Sequence, residues 1–441
     1  MSTGEIAILM FPTLLIVVVI FGIHVSFAVG GIAVIFGFFA WGLGVFPAFM
    51  ARISELMSSY ILAAIPLFLF MGNMIEASGA ADALFESIHE LMGPIKGGLA
   101  IGSIIICTLF AAATGIIGAS VTTMTLIALP AMVKRGYSKE LATGTVMAGG
   151  CLGILIPPSV MLVVYGPAAN LSVGKLYMAA LIPGLILSSL YVLYVAIRAY
   201  LQPHLAPALQ PDEIGVPLSR KLLRAVTSLL PTLFLILMCL GTIFAGVATP
   251  TEAAALGALG SIILAAGYRN LNLRVLKIAI ERTVIGTGMI YGIVLAASCF
   301  TSVFIGLGGG EVVAGWLRAM PSRWGAFGTT MFMIFLLGFF LDWLGSLLIM
   351  LPVYNPILSS LGFDPLFVAL CVAVCFQTSF LTPPFAPAIF YLKGIAPPEL
   401  GIELNHLYRA VVPYIILQLI GLMLVIIFPQ LILWLPNLMI R

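Results

Sequence analysis

The strongest constraint in this 441-residue sequence is a succession of apolar segments, each long enough to cross a membrane and nearly free of charge. A helix needs roughly 20 apolar residues to span the hydrocarbon core, whereas a membrane barrel is built from short alternating strands. Apolar residues make up 62% of the chain and charged residues only 8%, too few to cover a surface that faces water. The sequence therefore predicts an all-α polytopic protein of the lipid bilayer and excludes a soluble enzyme or a nucleic-acid-binding protein.

The apolar segments predict about ten transmembrane helices and two re-entrant helical hairpins. The hairpins are expected at about 98–130 and 326–353, because each stretch is long and carries Gly, Ser, Thr or Asp near its middle. Non-helical backbone at membrane depth is tolerated where protein or a watery cavity surrounds it. The predicted spans lie at 5–23, 26–46, 57–76, 141–165, 176–200, 226–247, 250–268, 283–306, 366–381 and 411–436. The first span lacks the features of a cleaved signal peptide and is expected to remain as a helix.

A polar, proline-rich segment divides the chain into two halves, 1–200 and 225–441, with a linker at 201–224. Two basic clusters flank a pair of spans joined by the turn 246–250, and the positive-inside rule places both clusters and the linker in the cytoplasm. Each half is expected to contain scaffold helices, one hairpin and one broken helix. These parts are scaffold helices 1–97, hairpin 98–130 and broken helix 141–165, then scaffold helices 225–306, hairpin 326–353, broken helix 366–392 and C-terminal helix 411–436.

The two halves repeat one another. Each contains a Leu-Ile-x-Leu-Pro motif followed by a Gly, a Pro-Pro pair and a Tyr. The Gly precedes the first Pro by 21 residues in both halves, and the Tyr follows that Pro by 8 residues in both. The matching positions are 126–130, Gly136, Pro157, Pro158 and Tyr165 in the first half, and 348–352, Gly362, Pro383, Pro384 and Tyr391 in the second.

Paired, proline-interrupted spans in two repeated halves are typical of secondary transporters, whose repeats are commonly inverted, and we expect inverted halves here. A Pro-Pro pair removes two backbone donors and breaks a helix. The break exposes carbonyls that can coordinate Na⁺ and N–H groups that can hold a carboxylate. The stretches 149–159 and 377–384 supply such breaks. A pair of kinks in ordinary packing helices is the alternative reading.

The hairpins carry small and polar residues where their tips should lie. Ser120 and Asp342 are equivalent positions, each ten residues before the proline of its motif. An acidic residue inside an apolar stretch costs about 2.5–3.5 kcal/mol on insertion scales and is usually functional. Asp342 could equally cap the second arm of its hairpin. The candidate substrate-binding residues are Ser120, Thr122, Ser159, Asn73, Gln377 and Thr378.

Other polar residues have simpler interpretations. Asn73 could line a cavity or terminate a helix, and Glu252 is expected to cap a helix start. The cysteines and histidines fit no metal cluster or disulfide framework. An anionic substrate would therefore rely on helix N-termini, hydroxyls and bound cations, unless a loop arginine such as Arg52, Arg318 or Arg323 reaches inward.

These motifs resemble the large permease subunit, of the DctM type, of tripartite ATP-independent periplasmic (TRAP) transporters. The resemblance is carried by Gly118–Gly166, Gly246–Gly260 and Leu341–Pro397 and runs from about Glu5 to Pro436. It implies an elevator-type, sodium-coupled importer of the ion transporter superfamily in the bacterial inner membrane. It also implies a small four-helix membrane subunit and a periplasmic substrate-binding protein as partners. The imported solute would be a small organic acid, with 2-oxo and 2-hydroxy acids as candidates.

The resemblance further implies two sodium sites and no organic cofactor. Two segments depart from many relatives, which have Ser-Gly-Ser in place of Thr114-Gly115-Ile116 and Gly in place of Ser379. The first site would involve Thr114, Gly115, Gly153, Ile156 and Pro158, mainly through carbonyls, and the second Gly338, Asp342, Ser379 and Thr382.

Transport is thus the predicted function, and no catalytic residue set points to an enzyme. The alternatives are a passive anion or solute channel, which predicts flux without ion coupling, and an ion-coupled carboxylate symporter that acts without a binding protein. The intrachain repeat with two separate breaks argues against the channel.

Overall fold

A computed structural model describes residues 2–115, 117–208, 217–384 and 386–438. These residues form helices joined by turns, with no strand among them. The described part of the first half contains eleven α-helices, the last of which ends at the first residue of the linker. They are α1 Thr3–Ile8, α2 Met10–Phe21, α3 Val25–Trp41, α4 Val45–Met57, α5 Ala64–Ala77, α6 Ala80–Met92, α7 Gly98–Thr114, α8 Ile117–Lys134, α9 Lys139–Cys151, α10 Val160–Ala168 and α11 Val173–Leu201.

The second half repeats this succession with longer scaffold helices. Residues 209–216 of the predicted linker lie outside the described part of the chain. The helices are α12 Leu218–Phe244, α13 Pro250–Gly267, α14 Leu273–Gly306, α15 Gly309–Arg318, α16 Arg323–Leu337, α17 Trp343–Ser360, α18 Pro365–Leu381, α19 Pro387–Ile395, α20 Leu404–Ile427 and α21 Gln430–Leu433.

Ten of these helical segments are long and apolar enough to cross a membrane, as predicted, although the set differs in two members. The predicted span 141–165 is interrupted between α9 and α10, and the predicted span 366–381 is the short helix α18. Two hairpin arms, α8 and α17, are instead long enough to qualify. The ten segments are Thr3–Phe21, Val25–Met57, Tyr60–Ala77, Ile117–Lys134, Val173–Leu201, Ser219–Phe244, Pro250–Gly267, Leu273–Gly306, Trp343–Ser360 and Leu404–Ile427.

Local sequence signals fix several helix boundaries. The Thr249 side chain accepts from the Glu252 N–H while the Glu252 side chain accepts from the Thr249 N–H, and Pro250 occupies the first helical position of α13. This reciprocal cap is the arrangement favoured at helix starts, so the capping prediction for Glu252 is confirmed. Asn272 caps α14 in a similar way, accepting from the Val275 N–H at 2.9 Å.

Polar contacts tie the scaffold helices together on one face of the molecule, which we call the basic face because both basic clusters lie there. Arg282 of α14 pairs with Glu76 at the end of α5 at 2.8 Å. Arg224 at the start of α12 pairs with Glu90 of α6 at 2.7 Å. Both ion pairs are partly exposed, so they fix position more than they add stability.

The two hairpins enter from opposite faces. The α7–α8 hairpin begins beside the linker on the basic face, where the Gly97 N–H donates to the Ala206 carbonyl at 3.1 Å. The α16–α17 hairpin follows α14, a single 34-residue helix that starts in the basic cluster and ends on the opposite face. The second hairpin therefore enters from that opposite face, and the two repeated halves are inverted.

Candidate functional site

The tip of the first hairpin contacts the break in the first interrupted helix. Gly115 ends α7 with φ +65°, a conformation that favours glycine. A Cβ at Gly115 would lie 2.7 Å from the Pro158 carbonyl oxygen. The Pro157-Pro158 pair lacks backbone donors, and its peptide bond is cis. Two predicted sodium-site residues thus lie side by side, whereas Ile116 of the tip lies outside the described residues.

Hydroxyl groups surround this contact and already donate to backbone carbonyls. Thr114 Oγ1 donates to the Phe110 carbonyl at 2.9 Å and lies 3.1 Å from Ser120 Oγ. Ser159 Oγ donates to the Ile154 carbonyl at 2.5 Å. Each hydroxyl oxygen keeps lone pairs after donating, so it can still accept a hydrogen bond or coordinate an ion. This is a donor set that suits a hard cation.

Gly153 and Ile156 lie in the tightened turn that leads into the break. A short 3₁₀ segment, Leu152–Ile154, ends α9, and the Ile156 N–H donates back to the Leu152 carbonyl at 2.9 Å. Both residues are buried. The side chain of Ile156 packs against Gly184 of α11. A Cβ added at Gly184 would lie only 2.6 Å from Ile156 Cγ1. The break is therefore held against α11.

The second hairpin makes the equivalent contact with the second break. A Cβ at Gly338 would lie 2.6 Å from Ser379 Oγ and from Ser379 Cβ. Ser379 Oγ lies within donor distance of the Phe335 carbonyl, at 3.2 Å, and of the Cys375 carbonyl, at 3.3 Å. Thr382 Oγ1 donates to the Thr378 carbonyl at 2.7 Å. Here too hydroxyl oxygens lie where hairpin and break meet.

Asp342 caps the second arm of this hairpin. Its Oδ2 accepts from the Leu344 N–H at 3.2 Å, and its backbone has the extended ψ of a cap residue. The capping role is therefore observed. One carboxylate oxygen makes this bond, which is compatible with a second role for the charge of Asp342.

The hairpin of each half packs on an interrupted helix of the other half. Helix α10 of the first half packs on α17, where Tyr165 Oη lies 3.0 Å from Tyr354 Oη. Helix α19 of the second half packs on α8, and a Cβ at Gly118 would lie 3.6 Å from Tyr391 Cζ. Each hairpin therefore contacts an interrupted helix of the other half as well as the break of its own.

The role of the two tyrosines was missed from the sequence, where Tyr165 and Tyr391 served only as markers of the repeat. Their equal spacing of 8 residues from the prolines was the available signal.

A second missed contact lies at the centre of the repeat. Gln377 Nε2 donates to the Cys151 carbonyl at 3.2 Å, and both residues stand six positions before the first proline of their pair. Contact between equivalent residues places the pseudo-twofold axis between α9 and α18.

The remaining predicted substrate-binding residues have different surroundings. Thr378 Oγ1 donates to the Val374 carbonyl at 3.2 Å within α18, and Thr122 is half-buried on α8. Asn73 neither terminates α5 nor is exposed, since its Nδ2 donates to Thr283 Oγ1 of α14 at 3.0 Å. Its neighbour Gly72 lies against the hairpin tip, because a Cβ there would be 2.6 Å from Thr114 Cα.

The His, Cys, Asp and Glu side chains are dispersed over the described part of the chain. It contains no group of three or more His, Cys, Asp or Glu side chains that could hold a metal ion. The six cysteines are free and buried, in line with a packing role. Any cation held at the hairpins would therefore be bound mainly by carbonyl and hydroxyl oxygens.

An inverted repeat of hairpins and interrupted helices is the architecture of a membrane permease. The sequence profile of the family described as "Tripartite ATP-independent periplasmic transporter, DctM component" matches residues 13–431. The chain belongs to this family, which confirms the resemblance identified from the sequence motifs.

Individual relatives agree with this assignment. The chain is 32% identical over 389 residues to the C4-dicarboxylate TRAP transporter large permease protein DctM of Pseudomonas aeruginosa, covering 88% of each protein. It is 26% identical to the ectoine TRAP transporter large permease protein TeaC of Halomonas elongata, covering 93% of this chain and 94% of that protein. The crystal structure of the YdaH transporter of Alcanivorax borkumensis has the same fold, with a TM-score of 0.59, 16% identity and coverage of 89% and 88%.

Proposed function

We propose that this chain is the permease subunit of a sodium-coupled secondary transporter that imports a small carboxylate-bearing solute. The observation that carries the proposal is that each hairpin meets the helix break of its own half, Gly115 against Pro158 and Gly338 against Ser379. The two relatives described above are named for a C4-dicarboxylate and for ectoine, and both solutes carry a carboxylate. The proposed solute class is therefore small organic acids, which includes both.

Sodium is proposed as the co-transported ion because of the donor set. The first site would use Thr114, Gly115, Gly153, Ile156 and Pro158, and the second Gly338, Asp342, Ser379 and Thr382. Carbonyl, hydroxyl and carboxylate oxygens are the ligands that hard cations prefer. The proximity of Gly115 to Pro158 and of Gly338 to Ser379 supports this grouping.

Coupling follows from the charge balance of the site. The sequence carries no Lys or Arg from 140 to 174 or from 324 to 392, so a solute carboxylate between the breaks would meet no fixed cation there. Bound sodium would supply the positive field, together with the N–H groups at the starts of the second half-helices. Each ligand then favours the same closed hairpin state, and by linkage each raises the affinity for the other.

The movement is proposed to be an elevator. The exchanged contacts of α10 with α17 and of α19 with α8 support the two hairpins and the two broken helices moving as one body. The scaffold would comprise α3, α5, α13 and α14, which pack on one another. Ser120, Thr122, Ser159, Gln377 and Thr378 would contact the solute on the moving body, and Asn73 would act from the scaffold side.

The partners are proposed from the family. A large permease protein implies a small membrane subunit, and the family description places the system at the periplasm. We therefore propose a four-helix small subunit, a periplasmic substrate-binding protein and the bacterial inner membrane as the setting, with the basic face toward the cytoplasm.

Uptake in proteoliposomes tests the proposal. The chain is reconstituted with its small subunit, and labelled dicarboxylate uptake is measured with the loaded binding protein under an inward sodium gradient. We expect uptake that disappears when choline replaces sodium or when the binding protein is omitted. Flux without sodium would indicate a passive channel, and sodium-driven uptake without the binding protein would indicate a symporter that acts alone. Either result contradicts the proposal.

A further inference from the structure

A cavity of about 690 Å³ opens on the face opposite the basic face. It lies between α4 and the end of the scaffold helix α14 on one side and helices α10 and α17 of the proposed moving body on the other. Ligand sites in proteins commonly measure about 300–1,000 Å³, so the cavity has room for a small organic acid. Its polar lining comes from Arg52, Glu55, Ser59, Asn170, Ser298, Thr301 and Ser302.

The cavity borders the moving body directly. Thr301 of α14 lines it and donates from Oγ1 to the Leu348 carbonyl of α17 at 3.1 Å. Leu348 and Pro352 of the second hairpin arm line the same wall. A solute in this cavity would therefore lie beside the hairpin that it must pass to reach the site between the breaks.

Arg52 and Glu55 are the two charged residues that line the cavity within the described part of the chain. Arg52 Nη1 lies 2.9 Å from Glu55 Oε2, and their side chains are 53% and 68% exposed. An exposed pair of this kind is weak, and a guanidinium has five N–H donors, only one of which this contact occupies. A free carboxylate can therefore pair with Arg52 beside Glu55 or in its place.

We propose that this cavity is an outer vestibule in which the solute carboxylate pairs with Arg52 in exchange for Glu55. The inference rests on the proposed function and names the residue that receives the anion outside the hairpin site. Glu55 has a distinct role, because it competes for Arg52 and keeps the anion from being held there. Arg52 is thus a positioning residue for the solute and not a ligand of the final site.

Charge-neutral variants of the two partners give opposite expectations. Arg52→Gln removes the cation and Glu55→Gln releases it, yet both break the same ion pair. If the pair serves only to hold α4, both variants change transport in the same direction. If it sets the vestibule charge, Arg52→Gln lowers kcat/KM for uptake about two- to threefold and Glu55→Gln raises it or leaves it at the wild-type value.

Fluorescence of Trp41, which also lines the cavity, reports the vestibule without any transport. In a variant with Trp316, Trp324, Trp343 and Trp434 changed to Phe, quenching by iodide is compared with quenching by neutral acrylamide at constant ionic strength. We expect iodide quenching to fall about two- to threefold in Arg52→Gln and to rise in Glu55→Gln. Acrylamide quenching should stay the same.

The two readouts separate the possible failures. Uptake that changes in opposite directions while iodide quenching stays constant would mean that the pair acts on binding-protein docking, which overturns the vestibule. Parallel changes in both variants would also overturn it. Wild-type uptake that does not need sodium contradicts the proposed function instead, and it leaves the iodide result standing as the test of the vestibule. If the single-tryptophan variant fails to fold, uptake by the two variants in the natural background decides.

Discussion

At the scale of single residues, the site depends on positions where no side chain, or only a short one, can fit. Gly338 and Ser379 meet so closely that a Cβ on Gly338 would fall 2.6 Å from the serine side chain. The repeat and the prolines predicted where the chain breaks. They did not by themselves indicate this contact, because it joins residues 41 positions apart through packing, and only the family resemblance grouped the two residues.

Gly338→Ala should therefore push the second hairpin away from its break. Overpacking of this kind costs about 1–3 kcal/mol, and we expect a lower thermal midpoint in detergent together with weaker sodium-dependent uptake. Ser379→Gly removes both atoms that clash, so the double variant should recover most of the lost stability. If Ser379→Gly brings no recovery, the close contact is not the cause.

Asp342 offers a test that separates its cap from its charge. Asn is as good a helix cap as Asp, so Asp342→Asn should keep the thermal midpoint within about 1 °C, whereas Asp342→Ala should lose about 1 kcal/mol. Both variants should lose sodium-driven uptake, because both lack the carboxylate. Normal sodium dependence in Asp342→Asn would show that the residue is only a cap.

At the scale of elements, the sequence predicted the features that depend on local composition. Hairpins and interrupted helices follow from glycines and prolines in apolar segments, and both are present. Helix α6 was not predicted as an element. It is amphipathic, with one polar and one apolar face, and its 13 residues are too few to span the membrane. The exchange of α10 and α19 between halves was not predicted either, since it arises from tertiary packing.

The contact between α10 and α17 can be measured with a double-mutant cycle. Tyr165→Phe leaves the Tyr354 hydroxyl without its partner in a buried setting, at a cost of about 1–3 kcal/mol. The double variant Tyr165→Phe with Tyr354→Phe removes both hydroxyls and should cost less than the sum of the single variants. Additive losses in thermal stability would mean that the two hydroxyls do not act together.

At the scale of the whole molecule, the inversion of the two halves and the orientation of the protein in the membrane depend on different features. The inversion of the halves follows from α14, which carries the chain from the basic face to the opposite face. The assignment of the basic face to the cytoplasm instead uses the positive-inside rule. The inversion was expected from the repeated halves, whereas the orientation stays a prediction from charge in short loops, which directs membrane insertion independently of how the helices later pack.

Cysteine labelling tests this orientation directly. Val247, in the turn before α13, is 78% exposed, and Leu273, at the start of α14, is 86% exposed. An impermeant maleimide should label Val247→Cys in cells whose outer membrane has been permeabilised. Leu273→Cys should react only after the inner membrane is disrupted. The natural chain serves as the unlabelled control because its six cysteines are buried. Labelling of Leu273→Cys but not of Val247→Cys in intact inner membranes would reverse the topology, and the cavity beside Arg52 would then open toward the cytoplasm, where a periplasmic binding protein could not deliver solute to it.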